Sequence, residues 1–235
     1  MPGMLWVAIL ASSTALVLLI VAVVVAARSS ARERVNDSTA VEGGSDVLYE
    51  SLPREARQFL VAAVQADTIV IVIGPRGAGV LDFLRALASP IRGRKPLVKL
   101  SRPAAMLSLV SRRPSCLAYL EAPGLVTGIA KMRSMVAEAS PSLTPREVWQ
   151  AIEASLDLWV IVRPVDQERV RVETIAEPAW HGPEDMLADH TLATVVFGWD
   201  EASQTLAATG VRPAVLSRLQ RSGILLPDHL FAPRP

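Results

Sequence analysis

The chain has a single cysteine, Cys116, among its 235 residues. One thiol cannot pair within the chain, so a disulfide-stapled scaffold is excluded. Charge of either sign is not in excess: 24 basic against 23 acidic residues leave +1. Such a balance gives no broad field to draw in nucleic acid or an acidic substrate, and no nucleic-acid partner is expected. The three histidines are scattered, so no Ser/His/Asp hydrolase arrangement follows from them. Glycine and proline recur without a period and no internal repeat is visible, which excludes collagen-like and solenoid architectures.

What the chain has in quantity is apolar residues: 51% of the total, with a mean hydropathy of +0.34. Much of the excess lies in Leu5–Ala27, 23 residues in which only Ser12, Ser13 and Thr14 are not apolar. At about 1.5 Å per residue a helix of that length reaches roughly 35 Å, enough for a hydrocarbon core of about 30 Å. A cleaved signal peptide is the competing reading. It calls for a charged n-region and a shorter apolar core, whereas no side-chain charge precedes Leu5. Arg28, Arg32 and Arg34 follow the run at once. The positive-inside bias then places the rest of the chain in the cytoplasm, behind a single span of the inner membrane. Without this segment the apolar share falls to about 47%, the usual globular range.

Residues 28–50 are polar and lack periodicity, as in a juxtamembrane linker. Beyond them helix and strand signals alternate, which predicts an α/β fold. Pro53–Gln65 places Ala56, Phe59, Leu60, Ala63 and Val64 at helical spacing. Thr68–Ile73 (TIVIVI) is a β-branched run, expected of a strand buried on both faces of a parallel sheet. Leu97–Leu100 and Cys116–Leu120 are short strand candidates, and Leu158–Val162 with Arg169–Ile175 reads as a hairpin. Thr144-Pro145-Arg146-Glu147 is a capping box opening a helix. A further strand is expected at Ala193–Phe197, and a last helix at Pro213–Ser222, stopped by Gly223.

Between the TIVIVI strand and the helix Val80–Ala88 lies Gly74–Gly79, GPRGAG. Gly74 and Gly79 have the spacing of GxxxxGK[ST], whose glycines let backbone N–H groups close around phosphate. The motif next requires lysine for the phosphates and Ser/Thr for Mg²⁺. The chain has Val80 and Leu81 there, followed by Asp82. Arg76 and Gly77 complete the loop, and Arg76 is its one cation. Read alone, the segment fits a structural strand–helix turn as well as a degenerate nucleotide loop.

Four stretches together resemble the type II/type IV secretion and pilus-assembly ATPases, especially their CpaF/TadA branch. Phe59–Leu87 (FLVAAVQADTIVIVIGPRGAGVLDFLRAL) is similar to that family's Walker A region. Arg113–Gly124 (RPSCLAYLEAPG) is similar to its Walker B stretch, RPDxIxxGExRG, and puts Glu121 on the catalytic glutamate position, with Pro123 replacing the arginine. TPREVWQAIEASLDLWVIV resembles the segment ending in SALDL, with Asp157 matching. Thr209–Phe231 resembles the signature TGxxPxFxxRLxxAG. The resemblance implies a RecA-like P-loop NTPase-type core with a central, mainly parallel sheet. Its divisions would be an anchor (1–27), a linker (28–50), a degenerate ATPase-like core (51–178) and a C-terminal subdomain (179–235).

The departures bear on activity. The lysine and Ser/Thr are absent, the histidine-containing HAN segment has no counterpart, and only a shortened helix is expected between Gly124 and Met135. Phosphoryl transfer depends on charge neutralisation by the loop lysine and Mg²⁺, so little or no hydrolysis is expected, and no cofactor in the place of ATP and Mg²⁺. The partners implied are the membrane, proteins of a secretion or pilus machine including an active ATPase paralogue, and further copies of the chain. An atypical active ATPase using Arg76, and an unrelated α/β interaction domain, remain the alternatives. Without a phosphate clamp, Glu121 alone is expected to be a strand-end residue capped by nearby N–H groups.

Other clusters carry less. His181, Glu184, Asp185, Asp189 and His190 match no ligand spacing, so no metal is expected. Trp149 and Trp159 are expected in the core, and Trp180 and Trp199 are candidate partner-facing residues. Arg92-Gly93-Arg94-Lys95 reads as a solvated turn, with anionic headgroups as the alternative contact.

Overall fold

The structure, a computed structural model, describes residues 47–90, 95–112, 115–166, 169–179 and 193–233. The apolar segment 5–27, most of the linker, Arg92–Arg94, Trp180 and the cluster from His181 to His190 lie outside them. Among the described residues no helix is long and apolar enough to cross a membrane.

A seven-stranded sheet organises the chain, in the order β2-β3-β1-β4-β5-β6-β7. These strands are β1 (Val70–Gly74), β2 (Leu97–Lys99), β3 (Leu117–Glu121), β4 (Leu158–Pro164), β5 (Val170–Pro178), β6 (Ala193–Asp200) and β7 (Thr205–Ala208). The first four strands pair in parallel, and β5, β6 and β7 continue the sheet antiparallel. The expected hairpin is β4–β5, with a bulge between Ile161 and Val162. Seven α-helices accompany the sheet among the described residues: α1 (Val47–Glu50), α2 (Arg54–Gln65), α3 (Val80–Ala88), α4 (Pro103–Arg112), α5 (Leu125–Ala139), α6 (Pro145–Ser155) and α7 (Leu216–Arg221). A 3₁₀ turn, Asp228–Phe231, follows them.

Alternation along β1 explains its β-branched run. Val70 and Val72 face a core shared with α1, α2 and α3, whereas Ile71 and Ile73 face one shared with α4, α5 and α6. Every residue of β1 is buried. Trp149 and Trp159 belong to the second core, as expected. In the first, Phe59 of α2 meets Phe197 of β6 and Phe231 at centroid distances of 5.8 and 5.4 Å. Strand β6 and the turn Asp228–Phe231 thus share one core with α2.

The structure corrects two sequence expectations. The linker ends sooner, because Val47–Glu50 is a turn of helix whose Leu48 is buried. The helix after β3 is not shortened: α5 has 15 residues and buries Ile129, Met132 and Val136. Gly128 permits this, since a Cβ there would sit 2.8 Å from Ile73 Cδ1. The glycine that weakens the helical signal is what brings α5 against β1.

Candidate functional site

In an open α/β sheet, ligands bind beyond the carboxyl ends of strands whose outgoing connections diverge to opposite faces. Here those strands are β1 and β3. The connection from β1 packs α3 on one face, while β3 leads into α5 and α6 on the other. Gly74 and Glu121 stand opposite each other in register at the ends of the two strands. The Ala122 N–H donates to the Gly74 carbonyl at 3.0 Å and closes the base of the crevice.

The loop sequence dictates its turn. Pro75 and Ala78 bracket a tight bend, with the Ala78 N–H donating to the Pro75 carbonyl at 3.2 Å. Gly77, at φ +83°, supplies the positive φ that a type II turn demands. Gly79, at φ +64°, then turns the chain into α3. This is the strand–turn–helix layout of a phosphate loop, built with apolar contacts. The Val80 side chain, at the lysine position, is 8% exposed. It folds back so closely that a Cβ on Gly74 would sit 2.8 Å from Val80 Cγ2 and 3.2 Å from Val162 Cβ. Ala78 is buried beside it, and Leu48 of α1 covers the other side, its Cδ1 3.8 Å from where a Gly79 Cβ would lie. Asp82 is held by Arg85 at 2.8 Å on the surface of α3.

Among the described residues Glu121 accepts through its carboxylate from a side-chain ammonium group and from no backbone N–H. Its Oε1 is 3.0 Å from the Lys99 ammonium, and its carbonyl accepts from Lys131 Nζ at 3.0 Å. The hydrogen bond to Glu121 raises the Lys99 pKa above the ordinary lysine value, against the opposing pull of desolvation. Lys99 ends β2 and stands 22 residues from Glu121 in sequence, so only the β2–β3 register unites them. No local pattern in the sequence marks either lysine. Arg163, at the end of β4, is engaged by Glu173 at 2.6 Å. Arg76 is exposed and has no hydrogen bond or ion pair among the described residues.

The other matched motif residues meet at the opposite end of the sheet. Asp157 accepts from the Ile69 N–H at 2.8 Å and pairs with Arg218 of α7, so SLDL and the C-terminal RL are two halves of one contact. Glu177, almost wholly buried, accepts from the N–H groups of Ala214 and Val215 at 2.7 and 2.6 Å. Burial pushes its pKa above the usual carboxylate value, although the two N–H groups oppose the shift. An acid with a raised folded-state pKa binds protons more readily folded than unfolded, so its contribution to stability falls as pH rises through that window. Replacing Glu177 with glutamine is expected to flatten that decline. Urea unfolding of both proteins from pH 4 to pH 7 checks this, and parallel curves would refute it.

Lys95, from the basic run, is tied to Asp67 and to Ser115 Oγ (2.6 Å), which leaves it structural. Trp199 lies under the Arg171 guanidinium at 4.0 Å. Among the described residues no group of three or more side chains is placed to hold a metal ion. A cavity of about 750 Å³ opens between α2 and residues 224–230, lined by Gln58, Val61, Gln65 and Ile224 among others, and none of its lining comes from the loop.

No protein-family model matches the chain, and no curated protein matches it. Among solved structures it is similar to the VirB11 ATPase of the Brucella suis type IV secretion system, crystallised in complex with sulphate. The identity is 14% and the TM-score 0.44, over 55% of this chain and 54% of that one. The match therefore spans about half of that structure's length.

Proposed function

We propose that the chain is a membrane-anchored, catalytically impaired relative of the secretion and pilus ATPases, of the CpaF/TadA-like branch. It carries a RecA-like P-loop NTPase-type core and serves a bacterial secretion, conjugation or pilus system as a structural or regulatory component. Its partners are the proteins of that machine, with an active ATPase paralogue foremost. The observation that carries the reading is the loop's apolar interlock: the side chain at the lysine position is buried against Gly74. Phosphoryl transfer without that cation or a metal-ligating hydroxyl lacks its main electrostatic stabilisation. Glu121, the other expected participant, is paired with Lys99 at 3.0 Å. The interior position of β1 and the direct passage from loop to α3 weigh against an unrelated domain.

The test is Mg²⁺-dependent ATP hydrolysis by the full chain in detergent. The expected rate equals that of the Glu121→Gln variant and of buffer controls. Turnover well above background that Glu121→Gln abolishes would overturn the reading. One observation favours the alternative of an atypical ATPase: Arg76 is exposed on the loop and has no hydrogen bond or ion pair among the described residues. That alternative requires saturable ATP binding which Arg76→Ala eliminates, and calorimetry at millimolar ATP decides it.

A further inference from the structure

Resting on that reading, we infer that the degenerate phosphate loop is a socket for the chain's own α1, a strap that can leave it without unfolding the sheet. The socket is complete by itself. Its turn is closed by the Ala78 N–H to Pro75 carbonyl bond, and its wall is the contact of Val80 with Gly74 and Val162. None of these groups belongs to α1. Leu48, 3% exposed, is the side chain that α1 inserts there, beside Ala78, Val80 and the Gly79 backbone. An apolar side chain of the same polypeptide thus packs against a loop that has the layout of a phosphate loop.

Several features make α1 separable. It has four residues, far fewer than a helix needs to hold itself in water. Among the described residues its hydrogen bonds to the body come from one residue of α2: Arg57 donates to the Glu50 carbonyl at 2.7 Å and to the Leu52 carbonyl at 3.1 Å. The same guanidinium lies over the Tyr49 ring at 5.0 Å. Ser51 closes the strap on itself, donating to the Leu48 carbonyl at 2.8 Å. A four-residue segment held by one polar clasp and the apolar side chains of Leu48, Tyr49 and Leu52 opens locally at a lower cost than the core. Its release would bare Ala78, Val80 and the Gly79 backbone, an apolar surface for a partner subunit in place of a nucleotide.

The test places a single cysteine in the socket, Ala78→Cys, in the full chain. Cys116 is silent there, because it is buried and burial pushes its pKa up to about 12. Maleimide labelling at position 78 is expected to be slow. It should accelerate by about 10-fold or more when Leu48→Asp removes the plug or Arg57→Ala opens the clasp, because local opening is then easier. Cys116 should stay unlabelled throughout, as read by mass spectrometry. Equal rates in all three proteins, or acceleration only with labelling of Cys116, would overturn the strap. In a chain with native Ala78, hydrogen exchange over residues 74–83 gives the same answer: Arg57→Ala should speed exchange there and leave β1 and β3 protected, and uniform exchange refutes it. ATP hydrolysis by the same samples separates the two failures. Turnover contradicts the proposed function, whereas unchanged labelling contradicts the strap alone.

Discussion

Replacing Asp157 with alanine is expected to destabilise the fold by about 2 kcal/mol, because it leaves the Ile69 N–H and the Arg218 guanidinium, itself 33% exposed, without their acceptor. For a protein of this size that is a fall in Tm of roughly 4–8 °C. Asp157 has only 13% of its side chain exposed and serves two donors, the Ile69 N–H and the Arg218 guanidinium. Truncation orphans both, and the first lies in the buried lead-in to β1. The Asp157 N–H also donates to the Ile69 carbonyl at 3.1 Å, a bond that alanine keeps. The loss therefore reports the carboxylate and not the strand pairing. Arg218→Met should cost less than Asp157→Ala, since the Ile69 donor keeps its acceptor. Thermal and urea unfolding of the two variants gives the ranking. A loss below about 1 kcal/mol for Asp157→Ala would place the pair in the class of surface ion pairs and remove its structural importance.

That contact joins two of the stretches through which the sequence resembles the secretion ATPases. Asp157, Arg218, Thr209 and Gly210 are matches to family motifs, and each has a structural task here. Thr209 Oγ1 donates to the Val195 carbonyl at 2.7 Å and holds the exit of β7, where Gly210 takes φ +88°. The lysine, Ser/Thr and arginine positions of those motifs hold Val80, Leu81 and Pro123 instead, while Gly74, Gly79 and Glu121 match.

How much of this was legible in the sequence depended on the range of the interaction. The strand–loop–helix unit was, because β-branched residues and glycines act locally. So was the capping box, where Glu147 Oε2 accepts from the Thr144 N–H at 2.8 Å and Thr144 Oγ1 accepts in return. The full length of α5 was not, because Gly128 lowers helix propensity and its reason lies on another element, at Ile73. The Lys99–Glu121 pair was hidden for the same reason: it exists only once β2 is in register beside β3. Leu48 sat at the end of a polar stretch with no periodicity to announce burial. Its partners, Ala78 and Val80, lie 30 residues or more away. Local rules gave the shape of the site, while its occupants came from tertiary contacts.

The interlock at the loop yields the other large effect. Gly74→Ala is expected to cost about 2–3 kcal/mol, because its methyl group would overpack a space already filled. The obstacle is not one flexible tip: behind Val80 Cγ2 stand Val162 Cβ at 3.2 Å and the Val162 carbonyl oxygen at 3.5 Å, on a central strand. The backbone conformation is not at issue, since Gly74 is not among the glycines with positive φ. Trimming Val80 to alanine opens the space, so the double variant Gly74→Ala/Val80→Ala should lose less than the sum of the single losses. The expected coupling is about 1–2 kcal/mol, the range for residues in direct contact. Strict additivity would mean that Val80 does not occupy the loop, and the reading built on it would fail. The same cycle carries a functional consequence. An ATPase keeps this glycine so that backbone can approach phosphate, and a substitution there acts on nucleotide affinity. In this chain the glycine accommodates a valine, so the substitution should act on stability while leaving the ATP response as it is in the parent.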